Sequence, residues 1–268
     1  MLIGAMNHPM NDLGDEIEWI AREGFDFVDL TLEPERAVPD RLDAADVRRR
    51  LAENGLKAVG HTAYYLPLAS PIRDLQEAGI TYFRRCLDFF AAAGVTWVNV
   101  HPFAKTPLYG REWLAQRQLE VLGELLAFAR AAGVRLMLEN VPPYFNSVAD
   151  LKPIFNALPD LGFHLDVGHA NLGVPLNITG KLLGEFRGRI AHIHLNDNNG
   201  GNEDLHLPLG AGRINWPWVA RMLRRNGYDG TVTLEVFSPD RDYLLMSKAK
   251  WARIWEESGA ERTAEPRS

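Results

Sequence analysis

Short apolar runs recur along the chain, separated by stretches whose apolar residues are spaced three or four apart. The first run covers residues 2–6, and the first helix-spaced stretch is Leu13–Arg22, where Ile17, Ile20 and Ala21 share a face. Gly24 marks its end, and Phe25–Leu30 reads as the second strand. A second helix is expected from Asp43 to Asn54-Gly55, before a third strand that runs into His61. The pattern then repeats. A helix over Ile72–Ala93 precedes a strand ending at His101, and one over Arg111–Ala132 precedes a strand ending at Glu139. Val148–Leu158 leads to the strand that ends at Asp166, and a shorter helix within 176–188 leads to the strand carrying His194. Trp216–Asn226 is followed by the strand carrying Glu235, and a last helix spans Asp240–Glu257. Residues 259–268 are polar and are expected to fray.

Strand and helix thus alternate eight times, which implies a parallel sheet with helices on its outside. In a chain of 268 residues this predicts a (β/α)₈ TIM barrel, an α/β single domain over 1–258. A doubly wound open sheet would carry a glycine-rich phosphate turn after its first strand; here that turn reads Asn7-His8-Pro9.

Six successive strands stop on side chains able to bind a metal: His61, His101, Glu139, Asp166, His194 and Glu235. Active sites of such barrels lie at the C-terminal strand ends, so these residues should meet in one cavity. His169 follows strand six, and an Asp204-x-His206 pair lies in the loop after strand seven. Side chains alternate along a strand, so Val59, Asn99, Met137, His164, His192 and Thr233 should point inward one layer deeper. His164 and His192 are accordingly expected as core or supporting residues rather than ligands. Several carboxylates in one barrel mouth would repel, and a divalent cation is the simplest compensation. Mixed imidazole and carboxylate donors suit Zn²⁺ or Mn²⁺ first, with Mg²⁺ and Co²⁺ also compatible.

Composition narrows the partners. The chain is 46% apolar and 24% charged, and its net charge of −6 argues against a sequence-independent polyanion binder. The basic clusters Arg48-Arg49-Arg50 and Arg224-Arg225 fall in helical patterns and read as solvated faces. No apolar run could span a bilayer, so no membrane partner is expected. The N-terminus reads as a strand without the basic flank of a signal peptide. The single cysteine, Cys86, fits a reducing cytoplasm and reads as an inert buried thiol. An acidic, aromatic C-terminal helix (Tyr243, Trp251, Trp255) leaves two roles open, homo-oligomer contact or a cover for the barrel.

The segments Leu138-Glu139-Asn140, Asp166-Val167-Gly168-His169, His192 to Asp197, Leu209 to Ile214 and Leu234-Glu235 together resemble the xylose-isomerase-like TIM barrels. That superfamily contains ketose epimerases, sugar isomerases and the endonuclease IV apurinic-site nucleases. The resemblance to the epimerase and isomerase branch implies one divalent metal on Glu139, Asp166, His194 and Glu235. It also implies proton abstraction beside a carbonyl through a metal-stabilised enediolate, with Glu139 and Glu235 as base and acid. His169 would bond a substrate oxygen, and His61, His101, Tyr64, Tyr65, Trp97 and Phe103 are candidates to line the sugar pocket, with ordinary barrel packing an equal reading for Trp97. The epimerases also carry an arginine where this chain has Gly200, and Arg213 is the candidate replacement. A dehydratase would use the same enolate chemistry. The resemblance to endonuclease IV implies instead a three-zinc cluster on His61, His101, Glu139, Asp166, His169, His194, Asp204, His206 and Glu235, attacking abasic-site DNA. The loop Val141-Pro-Pro-Tyr-Phe lacks that branch's glycine-rich DNA-facing turn, and Leu30-Thr-Leu-Glu33 looks isomerase-like.

Overall fold

In the computed structural model, which describes residues 1–103 and 108–264, eight parallel strands close on themselves in chain order. They are β1 (Leu2–Met6), β2 (Phe27–Leu32), β3 (Lys57–Thr62), β4 (Trp97–Val100), β5 (Arg135–Glu139), β6 (Gly162–Asp166), β7 (Ile190–Leu195) and β8 (Thr231–Leu234). The helices around them are α1 (Leu13–Arg22), α2 (Ala44–Glu53), α3 (Arg73–Ala93), α4 (Arg111–Ala132), α5 (Val148–Ala157), α6 (Thr179–Glu185), α7 (Trp216–Arg225) and α8 (Asp242–Ala264). The domain is a single (β/α)₈ barrel. No helix among the described residues is long and apolar enough to cross a membrane.

Local chemistry sets the element ends. Asp12 accepts from the N–H groups of Gly14 and Asp15 to open α1, and Ser147 with Asp150 forms a reciprocal cap on α5. Gly94 and Gly133 end α3 and α4 at φ 84° and 76°, a left-handed conformation that costs glycine little. The β2 boundary differs from the expectation. Phe25 is buried but precedes the strand, because the Asp26 carboxylate accepts from the Ile3 N–H in the turn before it. The strand proper runs two residues further, to Leu32. Short 3-10 turns over Pro39–Arg41 and His169–Asn171 had no periodic signal. Helix α8 continues to Ala264; the end of the stretch expected to fray, 265–268, lies outside the described residues.

One large apolar core lies between strands and helices. A second, inside the barrel, joins Phe27, Val59 and Met137, with Leu2, Trp97 and Ala191 against them. This plug fills the lower half of the barrel. Above it the inward positions turn polar: Asp29, Asn99, His164, His192 and Thr233 are all 0–1% exposed. Trp97, the first residue of β4, belongs to the plug, some 13 Å of strand below His101 at about 3.3 Å per residue. It therefore cannot line a pocket at the mouth. Cys86 is fully buried in α3, and burial pushes its thiol up to about 12, as befits an unreactive core residue. Trp251 is fully buried and meets Trp216 edge-on at 6.1 Å, so α8 covers the barrel wall.

Candidate metal centre

Parallel pairing with the stagger of a closed barrel sets each strand-end residue level with an inward residue of the next strand. Glu139 registers with His164, Asp166 with His194, and His194 with Thr233. Contacts of 4.0 Å or less then run without a break from His101 to Glu235 and on to the loop after β7. His101 Nε2 lies 2.9 Å from Glu139 Oε2, and His169 Nδ1 lies 3.1 Å from Glu139 Oε1 and 3.8 Å from Asp166 Oδ1. His194 Nδ1 lies 4.0 Å from Asp166 Oδ2 and 3.1 Å from Glu235 Oε2. Glu235 Oε2 lies 3.3 Å from His206 Nδ1, and Asp204 Oδ2 sits 3.0 and 2.9 Å from the Nε2 atoms of His169 and His206. His61 joins through ring contacts, 4.9 Å from His101 and 5.4 Å from His194. All nine residues that the sequence singled out as ligand candidates therefore meet.

Donor atoms within 4.8 Å of one another form several sets able to hold an ion: His61–His101–Glu139, His61–His194–Glu235, Glu139–Asp166–His169, His169–Asp204–His206 and the deeper His164–His192–His194. The chemistry of these sets fits a cation. Both ring nitrogens of His61, Nδ1 of His101 and Nδ1 of His194 are buried without a hydrogen-bond partner, a costly arrangement that a bound ion would resolve. Burial raises the Asp166 carboxyl to about 7, with Glu235 and Glu139 adding to the shift against the pull of His169. Burial also opposes ionisation of Glu139 and Glu235, yet His101 and His164 in one case, and His194 and His206 in the other, hold both well below the usual range. His61 drops to about 4 through burial and His101, so its imidazole is neutral and free to donate a lone pair.

Residues outside the predicted set hold the cluster in place. Asn196 Nδ2 donates to Asp166 Oδ2 at 2.9 Å and to Glu235 Oε2 at 3.3 Å, bridging two strands. A methyl on Gly168 would overlap the Asn196 side chain, which accounts for the glycine of Asp-Val-Gly-His. Asn140 receives the Asp166 N–H and donates to Asp166 O and to Asn146. Asp197 is fully buried and collects three N–H donors from the loop that carries Asp204 and His206 and a fourth from the Trp216 indole at the start of α7. Asp29, on β2, accepts from His194 Nε2 at 2.7 Å. Glu33, at the rim beyond β2, is half-buried; burial raises its carboxyl, while His101 and Tyr65 pull the other way. The alternation Phe27-Asp29-Thr31-Glu33 was the available signal for these last two.

The remaining candidates sit at the periphery. Tyr64 is 60% exposed and meets His101 edge-on at 6.5 Å. Phe103 is half-buried, its N–H bonded to Gln118. Arg213 is exposed in the loop after β7, anchored through its backbone N–H to Asn198 O. A cavity of about 500 Å³ beside the mouth is lined by Pro142, Pro143, Asn146 and Leu172. Another, of about 380 Å³, lies around the starts of β4 to β7, away from this chemistry.

Fold and site together define a TIM barrel with a buried imidazole and carboxylate cluster at its C-terminal mouth. The chain belongs to the xylose isomerase-like TIM barrel family, which it matches over residues 17–259. It is 35% identical to an uncharacterized protein of Methanocaldococcus jannaschii over 52% of this chain, a match that spans about half (50%) of that relative's length. It is 26% identical to the ketose 3-epimerase of Arthrobacter globiformis, over 90% of this chain and 85% of that one. It is also 26% identical to a probable endonuclease 4 of Symbiobacterium thermophilum, over 70% and 73%. A crystal structure of a D-tagatose 3-epimerase-like protein superposes with a TM-score of 0.84 at 23% identity, covering 97% of this chain and 99% of that one, which shows the shared fold.

Proposed function

We propose that the protein is a divalent-metal-dependent isomerase or epimerase that acts on a sugar or sugar phosphate by removing a proton beside a carbonyl. The observation that carries this reading is the pair Glu139 and Glu235. Both are buried and held in the charged form, and they stand at the ends of separate strands with Asp166 and His194 between them. These four residues would hold the metal, with Zn²⁺ or Mn²⁺ best suited to the donor set. When bound, the ion supplies positive charge against the negative charge that develops on the substrate oxygens. Glu139 and Glu235 act as base and acid on the two faces of the substrate carbon. His169 is oriented by its Nδ1 against Asn140 O at 2.8 Å, and its Nε2, 3.0 Å from Asp204 Oδ2, bonds a substrate oxygen in place of that carboxylate. His61, His101, Tyr64 and Arg213 are the further substrate contacts. Resemblance to a ketose 3-epimerase over 90% of the chain agrees with this chemistry.

Incubation of the metal-loaded protein with a panel of ketoses in deuterated water should incorporate deuterium next to the carbonyl. Glu139→Gln and Glu235→Gln should each abolish that exchange. No exchange with any sugar, alongside incision of abasic-site DNA, would reject the reading.

One observation favours a second reading, phosphodiester hydrolysis at a multinuclear centre. The sets His61–His101–Glu139 and His169–Asp204–His206 share no residue, so more than one ion could be held. Against a polyanion substrate, Arg49 and Arg50 are engaged with Asp46, Glu53 and Glu18 on the outer helices, and Arg224 lies over Trp255. Metal analysis separates the two: about one tightly bound ion per chain fits the isomerase, and about three zinc ions fit the nuclease.

A further inference from the structure

Below the cluster lies a carboxylate that no ligand assignment uses. Asp29 is 1% exposed, in the middle of β2, and its Oδ2 is the convergence point of three side chains. His194 Nε2 lies 2.7 Å from it, Thr233 Oγ1 2.8 Å, and His192 Nε2 3.4 Å. The polar hydrogens follow from that geometry. Thr233 donates to Asp29, so it accepts from His192 Nε2 at 2.9 Å, and His192 Nδ1 accepts from Thr231 Oγ1 at 2.7 Å. His194 likewise gives its Nε2 proton to Asp29, which leaves Nδ1 turned toward Glu235 and Asp166.

A purely structural side chain here would be expected to resemble the plug one layer down, where Phe27, Val59 and Met137 pack without a desolvation cost. Instead a carboxylate is buried with one oxygen, Oδ1, lacking any partner. We infer that Asp29 is a positioning residue for the metal: it holds His194 with its proton on Nε2, aims Nδ1 into the mouth and strengthens it as a donor. The inference rests on the proposed metal role of His194 and on no particular substrate.

The test uses no substrate. Zinc and cobalt affinities of the full chain are measured by competition with a chromophoric chelator, and the His194 Nε2 proton of the zinc-loaded protein is followed by NMR. Asp29→Leu removes the acceptor and should weaken both metals by about 10–100-fold. Asp29→Asn can place its amide oxygen where Oδ2 lies, so it keeps the bond and loses the charge. This variant should weaken binding by less, about 3–10-fold, and should retain an Nε2 proton signal shifted upfield. The second variant covers the case in which leucine prevents folding. Asparagine binding both metals within about two-fold of the native protein, with the Nε2 signal unmoved, would overturn the inference alone. A native protein that binds neither metal would overturn the metal reading together with it.

Discussion

Asparagine at position 197 is predicted to be far more damaging than its size suggests. Each oxygen of Asp197 accepts two N–H groups: Oδ1 from Asn198 at 2.9 Å and Ile214 at 3.1 Å, Oδ2 from Gly210 at 2.7 Å and the Trp216 indole at 2.8 Å. An amide has only one oxygen, so whichever way it is turned, two buried donors face its NH₂ group. A hydrogen bond to a charged acceptor contributes about 1.5–3 kcal/mol, so losing two costs at least ~3 kcal/mol. At about 2–4 °C per kcal/mol for a domain of this size, the melting temperature should fall by roughly 6–12 °C. The effect extends to the site. Asp197 and Leu207 exchange backbone bonds of 2.9 and 2.8 Å, closing the loop that carries Asp204 and His206. Thermal unfolding by circular dichroism, in chelator and in excess zinc, measures both consequences; zinc should stabilise the variant less than the native protein. Asp204→Asn, on the same loop with a 34%-exposed side chain, serves as the comparison and should cost much less stability. A melting temperature for Asp197→Asn within about 2 °C of the native value would refute the reasoning.

Three further outcomes are expected. Gly168→Ala should displace Asn196 from Asp166 and Glu235 and lower metal affinity about 10-fold or more, measured by chelator competition; unchanged affinity would remove Asn196 from the support of the site. In the metal-free protein, burial opposes the charge of His206, but Glu235 and then Asp204 raise its pKa to about 11. A folded value above the unfolded one, about 6.5, means that this contribution is complete below that pH and is lost as pH climbs toward the folded value. The melting temperature of the chelated protein should therefore fall on passing from neutral to strongly alkaline pH, and a flat profile would contradict the geometry. Metal binding should also release protons, since His194 and His169 are held protonated when no ion is present. Calorimetry in buffers of different ionisation enthalpy should show a buffer-dependent heat.

Much of the barrel is legible because its signals are local. His61, His101, Glu139, Asp166, His194 and Glu235 each close an apolar run, and a strand-helix alternation needs only neighbouring residues to be seen. Asp29 closes no apolar run, and its alternation with Phe27, Thr31 and Glu33 shows a face but no partner. It lies among Phe27, Val28, Leu30 and Leu32, and its partner His194 is 165 residues away, brought near only when the barrel closes. Asn196 and Asp197 stand in a recognisable motif, but the motif does not say that one bridges two ligands and the other gathers a loop. Trp97 leaves two readings open, a pocket wall or ordinary barrel packing, and the structure selects packing. Its aromatic character fits either role, and its position at the start of β4 places it in the plug.

The buried histidines divide by their carboxylate neighbours, and the division explains why so many can share one barrel. His61, His164 and His192 sit where burial dominates, and all three are shifted toward the neutral form. His169, His194 and His206 are opposed by burial as well, yet carboxylates close to each of them outweigh it and shift all three toward the charged form. In the metal-free protein these three protons partly balance Glu139, Glu235 and Asp204, while Asp166 remains raised to about 7. A divalent ion at the mouth would replace those protons with a charge that several carboxylates can share, and Asp166 could then ionise. The neutral histidines, His164 and His192 beneath and His61 at the mouth, would be unaffected in charge. The upper layer is thus built to exchange protons for a cation, and the lower layer to hold the upper one in register, with Asp29 joining the two through His194 and Thr233.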